Sequence, residues 1–209
     1  MAASSDELAR FVETYAQRVH EARDELTDLD SAIGDADHGI NMDRGFQAVV
    51  TILPDLRTGP PGALFKQVGM KLISTVGGAS GPLYGTFFLR LGTSLGDVPT
   101  ADPAALTAAL RSGLEGVVAR GKAELDDKTM VDALSPAVAA LEADAEADWG
   151  AALDAAAAAA AAGRDRITPL VARKGRASYL GERSAGHQDP GATSMTMLIE
   201  TFRDTLRDI

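Results

Sequence analysis

The sequence predicts an all-α fold of eight helices with essentially no sheet. Three observations carry this reading. Apolar residues recur at steps of three and four in one segment after another, which is the spacing of a helix face. No segment sustains the period-two alternation of a half-buried strand, and the short β-branched runs VVTIL and KLIST each sit inside a helical pattern. Helix-start chemistry stands where periodic segments begin: Ser4 with Glu7 at capping-box spacing, and Asp102 followed by Pro103.

In chain order, residues 4–29 read as one long amphipathic helix, with Leu8, Phe11, Val12, Tyr15, Val19, Ala22, Leu26 and Leu29 on its apolar face. The loop SAIGDADHG follows, then a helix from Asn41 to about Leu53 with Met42, Phe46, Val49 and Val50 inward. Pro54 to Gly62 is a Pro/Gly linker. A third helix, about Ala63 to Val76, carries Leu64, Val68, Leu72 and Ile73. A glycine-rich loop, GGASGPLYG, spans Gly77 to Gly85 and precedes a helix with Phe87, Phe88, Leu91 and Leu95. The fifth helix starts at Asp102-Pro103 and buries Leu106, Leu110, Leu114, Val117 and Val118. Gly121 to Lys128 is polar and acidic. Helices follow at about Met130 to Ala143 and at Trp149 to Val171, the latter holding the alanine run Ala155 to Ala162. Alanine is the best helix former and lets helices approach closely, so the run reads as ordered helix and not as a spacer. A third polar loop runs from Gly175 to Gly191, and the last helix from about Ala192 to Leu206.

Composition excludes several classes of function. With 209 residues, enough for one domain or two small ones, the chain can bury roughly 70% of its unfolded surface without disulfide staples. It has no cysteine, which removes disulfide scaffolds, thiolate zinc sites and cysteine nucleophiles. Its net charge of -10 repels a phosphate backbone, so nucleic acid is not an expected partner. No apolar run approaches the ~20 residues of a membrane span, and the polar start MAASSDELAR does not read as a signal peptide. The expectation is a cytoplasmic protein without membrane contact.

The richest segment is Asp30-Ser-Ala-Ile-Gly-Asp35-Ala-Asp37-His38-Gly39-Ile-Asn41. Asp35 and Asp37 sit two apart in a loop and can face one point, with Asp30 at the preceding helix end. Two such charges ~4 Å apart repel by about 4 kcal/mol at an effective dielectric near 20, so a cation would stabilise the cluster. Oxygen ligands alone select Mg²⁺ or Ca²⁺. An EF-hand is excluded, because counting from Asp35 the fifth position is Gly39 and the twelfth is Phe46. The plainer alternative is an Asp-rich turn in which Asp37 caps the next helix. His38 is either a loop histidine bonded to backbone or a donor to phosphate. GGASGP, with Gly77, Gly78, Ala79 and Ser80, is either an anion nest ahead of a helix or a plain interhelical turn. The third loop offers Arg176, Arg183, His187, Asp189 and Gly191; arginine is a natural phosphate partner. Gly116 to Ala123 resembles a P-loop but lacks its Ser/Thr and ends a helix, so none is assigned.

The stretches GDADHGINMDRG, GGASGPLYG, GRASYLGERS and HQDPGATS, in that order, resemble the L subunit, or nucleotide-binding domain, of dihydroxyacetone kinase. The resemblance covers nearly the whole chain; Ala36 stands where that family often has glycine. It implies a single domain over residues 1–209, an antiparallel eight-helix barrel with the nucleotide, ADP or ATP, at one end. It assigns Asp30, Asp35 and Asp37 as ligands of a pair of Mg²⁺ ions and, with His38, as the catalytic set. His38, Gly39 and Asn41 would contact phosphate or the metal shell, and Ala79 and Ser80 would cradle phosphate. Gly121 and Met130 would belong to the adenine pocket, and Arg176, Asp189 and Gly191 to a loop closing over the nucleotide.

In that family a separate K subunit or domain holds dihydroxyacetone covalently on a histidine. The implied activity is therefore phosphoryl transfer from Mg-bound nucleotide to dihydroxyacetone on a partner chain. In the branch fed by the phosphoenolpyruvate phosphotransferase system, ADP stays bound as a coenzyme and a phosphohistidine subunit of M type recharges it. The alternatives are an ATP-dependent triose or ketose kinase subunit and a non-catalytic nucleotide-binding adaptor docking on a transcriptional regulator; a homodimer is a further possible assembly.

Overall fold

The computed structural model describes residues 2–144 and 148–209. Nine α-helices occur among the described residues: α1 Ser5–Glu21, α2 Arg23–Ile33, α3 His38–Val50, α4 Pro61–Thr75, α5 Ser80–Leu95, α6 Pro103–Gly121, α7 Val131–Asp144, α8 Trp149–Ile167 and α9 Pro190–Leu206. Two short 3₁₀ segments, Leu53–Leu56 and Arg176–Ser184, lie in connections. The only extended pairing among the described residues is an isolated antiparallel bridge between Ala3 and Ala101. No helix among them is long and apolar enough to cross a membrane.

Eight of the nine helices close a ring. Each packs on the next in the order α1, α3, α4, α5, α6, α7, α8, α9, and α9 returns to α1. Helix α2 lies off the ring, against α3 and α9. The expected barrel of eight helices is thus present, and the extra segment arises because residues 4–29 are not one helix. The chain breaks at Ala22, which ends α1 with φ -91° and ψ 8°. Without that break, Asp30 could not be turned toward the start of α3.

The ends of the helices follow from their caps. Ser4 and Glu7 form the reciprocal capping box, and Asp102, Asp148 and Asp189 each accept a first-turn N–H with their side chains. Several boundaries differ from the sequence reading, among them three with a clear physical bearing. Helix α3 begins at His38 and not at Asn41, because a carboxylate from α2 serves as its cap. Helix α5 begins at Ser80, so Gly81 and Gly85 lie inside it, where they admit Val76 and Ile73 at close range. Helix α8 ends at Ile167 and not at Val171.

The main core is one continuous cluster reaching from Ala3 to Ile209. Edge-to-face aromatic pairs join ring neighbours, Tyr15 of α1 with Phe46 of α3 at 4.8 Å and Phe11 of α1 with Phe202 of α9 at 5.3 Å between centroids. Ile73 and Val118, expected inward, are instead 47% and 38% exposed. The alanine run is ordered helix: Ala156, Ala157 and Ala160 are buried. Closest approach on α8 falls at Gly163, where a Cβ would collide with the Asp132 carbonyl oxygen of the α7 N-terminus.

Two glycines of α8 therefore predict opposite signs. Gly163→Ala should destabilise by roughly 1–3 kcal/mol through overpacking against backbone. Gly150→Ala meets only ordinary contacts and should stabilise by about 0.5–1 kcal/mol. Urea denaturation of both variants measures the difference.

Candidate functional site

A ring of eight helices that alternate in direction places every second helix start at the same end. The N-termini of α3, α5, α7 and α9 consequently meet at one mouth. Contacts confirm it: His38 of α3 touches Ser80 of α5 and Ser194 of α9, and Gly191 of α9 lies against Met130, just ahead of α7. Four positive helix ends facing one opening favour an anionic ligand.

The carboxylate loop is built around Asp30. Its side chain, buried in the last turn of α2, accepts hydrogen bonds from the backbone N–H of Asp37 at 2.8 Å and of His38 at 3.1 Å. Asp30 thereby caps α3 from outside. Asp37 occupies the N-cap position, yet its own side chain makes no capping bond. The plainer alternative, a turn closed by an Asp37 cap, is not what forms. The Asp37 carboxylate is left facing Asp30 and Asp35, and one ligand oxygen from each of the three lies within 4.8 Å of the others. Asp35 is exposed and pairs with Arg176 at 2.8 Å. Ala36 holds the turn with φ 60°, a left-handed conformation that costs an alanine roughly 1–2 kcal/mol. An all-oxygen donor set at this spacing suits a hard divalent cation.

Gly39 fixes where this loop sits. A Cβ there would collide with the Arg23 carbonyl oxygen, so only glycine lets α3 start hard against α2. Asn41, buried one turn on, accepts from Arg44, which also donates to the Thr75 carbonyl and so ties α3 to the end of α4. The glycine loop lies over this face: a Cβ at Gly77 would stand 2.8 Å from Asn41 Oδ1, and one at Gly78 4.0 Å from Asp37 Oδ1. Ala79 and Ser80 follow at the start of α5.

His38 is not presented to solvent. Its Nε2 lies 2.9 Å from Ser194 Oγ and its Nδ1 3.1 Å from Ser80 Oγ. Burial pushes its pKa down to about 4 against the pull of Asp30 and Asp37, so the ring is neutral at pH 7. Ser194 Oγ also lies 2.8 Å from the Tyr84 hydroxyl and 3.2 Å from the Gly191 carbonyl, so imidazole and hydroxyl groups of α3, α5 and α9 share one hydrogen-bonded chain. Desolvation raises the Tyr84 and Tyr15 phenols, which stay protonated donors; Tyr15 donates to the Ser194 carbonyl.

Beyond Ala79 the mouth opens into an apolar cavity of about 250 Å³. Gly121 and Met130 line it, together with Val117, placed by the sequence on an apolar helix face, and Leu83, Val131 and Lys174, which the sequence reading did not single out. Arg176 stands at the start of the 3₁₀ segment, where Ile33, Ala172 and Ala177 form a small buried cluster with Leu180 packed against it. Asp189 caps α9 by accepting from Ala192 N–H at 2.7 Å, and a Cβ on Gly191 would lie 3.1 Å from its carboxylate. His20 pairs with Asp43, and His187 and Arg183 are exposed on the third loop. Ser194, Tyr84 and Lys128 are among the buried polar residues that sequence reasoning missed.

The carboxylate trio, a glycine loop at a helix start and an apolar cavity are contiguous here, with Ala79 touching loop and cavity alike. Comparison with known proteins gives the same arrangement a family. The DAK2 domain family matches residues 32–204. The chain belongs to the DAK2 domain family. It is 48% identical over 84% of its length to the PEP-dependent dihydroxyacetone kinase, ADP-binding subunit DhaL, of Escherichia coli K12, and covers 84% of that protein. It is 42% identical to the ADP-binding subunit DhaL of the PEP-dependent dihydroxyacetone kinase 1 of Listeria innocua, over 98% of both chains. The crystal structure of the C. freundii dihydroxyacetone kinase in complex with AMP-PNP and Mg²⁺ superposes with a TM-score of 0.75 at 26% identity. That superposition takes in 98% of this DAK2 chain but 34% of the kinase.

Asp189 supplies a pH test. Burial, with repulsion from Asp132 and Asp30, raises its pKa from 3.8 to about 7, against its bond from Ala192 and the attraction of Lys128. Between those values the folded chain holds a proton that the unfolded chain releases, so stability is lost as pH rises through the window, by roughly 4 kcal/mol in all. His38 runs the other way, since the unfolded chain gains its proton first on acidification, between its ordinary 6.5 and about 4. In metal-free buffer the two oppose each other over that range. Asp189→Asn should unmask the histidine slope, with stability rising steadily from about pH 4 to 6.5. Urea midpoints of variant and wild type that move in parallel would contradict this.

Proposed function

We propose that the chain works as one nucleotide-binding domain, the ADP-binding subunit of a phosphoenolpyruvate-dependent dihydroxyacetone kinase. The observation that carries the proposal is the continuity of the carboxylate trio, the glycine loop and the apolar cavity, which matches the polarity of a nucleotide from diphosphate to base. The names of the relatives support it, as does the nucleotide and Mg²⁺ in the complex of the related kinase.

In this reading the cavity between Leu83, Gly121 and Met130 takes adenine. The backbone N–H groups of residues 78–80, and the helix starts around them, take the phosphates. Asp30, Asp35 and Asp37 hold a pair of Mg²⁺ ions, whose role when bound is to neutralise charge on the transferring phosphoryl group. Asn41 and Gly39 set the position of that loop. Neutral His38 fixes the Ser80 hydroxyl at the phosphate end. Arg176 moves from Asp35 to phosphate charge once cations occupy the carboxylates. Phosphoryl transfer needs chiefly positioning and charge neutralisation, and the chain offers both without an activated nucleophile. A separate K subunit holds dihydroxyacetone, and a phosphohistidine protein recharges the bound ADP in the cytoplasm.

Calorimetry with ADP, with and without Mg²⁺, tests the reading. Wild type should bind ADP in a Mg²⁺-dependent manner. Asp37→Asn, which removes no hydrogen bond of the α3 cap, should keep the fold and weaken binding at least about tenfold. Mixed with a K subunit, dihydroxyacetone and a phosphohistidine donor, wild type should form dihydroxyacetone phosphate while its ADP stays bound. Binding unaffected by the variant would remove the metal assignment. Turnover that requires free ATP alone would move the chain to the ATP-dependent branch.

A further inference from the structure

Lys128 is the one lysine whose side chain is fully enclosed among the described residues, at 1% exposure. Its three ammonium protons have three acceptors: the carbonyls of Thr168 at 2.8 Å, Leu170 at 2.9 Å and Ser184 at 2.7 Å. No carboxylate bonds the ammonium: three oriented carbonyl dipoles hold it directly, and Asp189 attracts it from farther off. The backbone at Lys128 is left-handed, φ 67°, a strained conformation for a side chain with a Cβ.

The three carbonyls come from both stems of one loop. Thr168 and Leu170 lie where the chain leaves α8; Ser184 lies where it returns toward α9. The stems are also tied directly, since Gly186 N–H donates to the Thr168 carbonyl and Ala172 N–H to Ser184 Oγ. A further bond joins the loop to the lysine's own segment, from Arg173 N–H to the Asp127 carbonyl. The two segments meeting at the cage continue into the lining of the apolar cavity: Thr129, Met130 and Val131 directly after Lys128, and Lys174 and Gly175 after the first stem.

We propose that Lys128 is a positioning residue for ligand retention: its caged ammonium fastens the loop spanning 168–186, and with it Lys174, Gly175 and Arg176, against the wall of the cavity formed by residues 129–131. The role rests on the nucleotide reading of the cavity. The residue touches no part of the cavity itself and acts through the loop. A lysine is required because a primary ammonium presents three donors to three converging carbonyls; methionine fills the same space but removes the donor from Leu170 and Ser184 and leaves Thr168 only its bond from Gly186 N–H.

The test uses the full chain as Lys128→Met and Lys128→Ala. Backbone hydrogen exchange is followed at Ala172, Arg173 and Gly186 without nucleotide. Release of a fluorescent ADP analogue is timed with Mg²⁺ present, and Mn²⁺ binding without nucleotide reports on the carboxylates. Both variants should exchange those amides and release the analogue at least about tenfold faster, with Mn²⁺ affinity unchanged. Propylammonium should restore both rates in Lys128→Ala, whose truncated side chain leaves it room, and sodium chloride at equal ionic strength should not. Faster exchange with unchanged release in a folded variant overturns the retention role, and unchanged exchange overturns the fastening itself. If Lys128→Ala does not fold, Lys128→Met decides between these outcomes. A wild-type chain that takes up no nucleotide overturns the reading of the cavity and the retention role with it, while the exchange arm still decides whether Lys128 fastens the loop.

Discussion

Two hydrogen bonds, from the backbone N–H of Asp37 and of His38 to the Asp30 carboxylate, hold the rest of this site in place. A helix start needs its first donors satisfied. Here the acceptor is borrowed from the helix before, not taken from the N-cap residue. That substitution has three consequences. It pins the end of α2 to the start of α3, it forces the four-residue turn through a left-handed Ala36, and it frees the Asp37 carboxylate. The result is three acidic side chains converging within 4.8 Å, an arrangement whose repulsion a hard cation relieves.

The ring sets what surrounds the carboxylates. An even-membered antiparallel ring places every second helix start at the same mouth, so α3, α5, α7 and α9 all direct N–H groups there. Helix α2, the member outside the ring, delivers Asp30 from the side. The polar lining of the mouth is thus largely backbone, with side chains spent on holding backbone in place. His38, Ser194 and Tyr84 form a buried chain of hydroxyl and imidazole groups that spans α3, α5 and α9. Lys128 does comparable work beside the cavity with three carbonyls. In both cases a neutral or dipole-satisfied group is buried, which avoids the heavy cost of an unpaired interior charge.

Much of this was legible in the sequence. Apolar spacing located every ring helix, and Ser4 and Asp102 cap as their positions indicate. The three loops that carry the site were visible as clusters of Asp, Gly and Arg. The features that escaped depend on partners remote in sequence. The break at Ala22 lies inside an unbroken apolar stripe and is dictated by where α2 must deliver Asp30. The start of α5 at Ser80 was hidden because Gly81 and Gly85 look like loop residues, while their purpose is close packing on Val76 and Ile73. Exposure of Ile73 and Val118 follows from where the ring closes, which periodicity along one helix does not reveal. Ser194 stands 156 residues from His38, and Lys128 looks like an ordinary surface lysine in a polar stretch until the third loop folds over it.

The central claim, that Asp30 organises a hard-cation site at this mouth, is tested most directly by anomalous diffraction from crystals grown with Mn²⁺ and ADP. The account predicts anomalous peaks within coordination distance of the Asp30, Asp35 and Asp37 carboxylates, with diphosphate density bridging from them to residues 78–80. Ordered nucleotide with the manganese signal elsewhere, or carboxylates that turn apart when the cation is supplied, would contradict it.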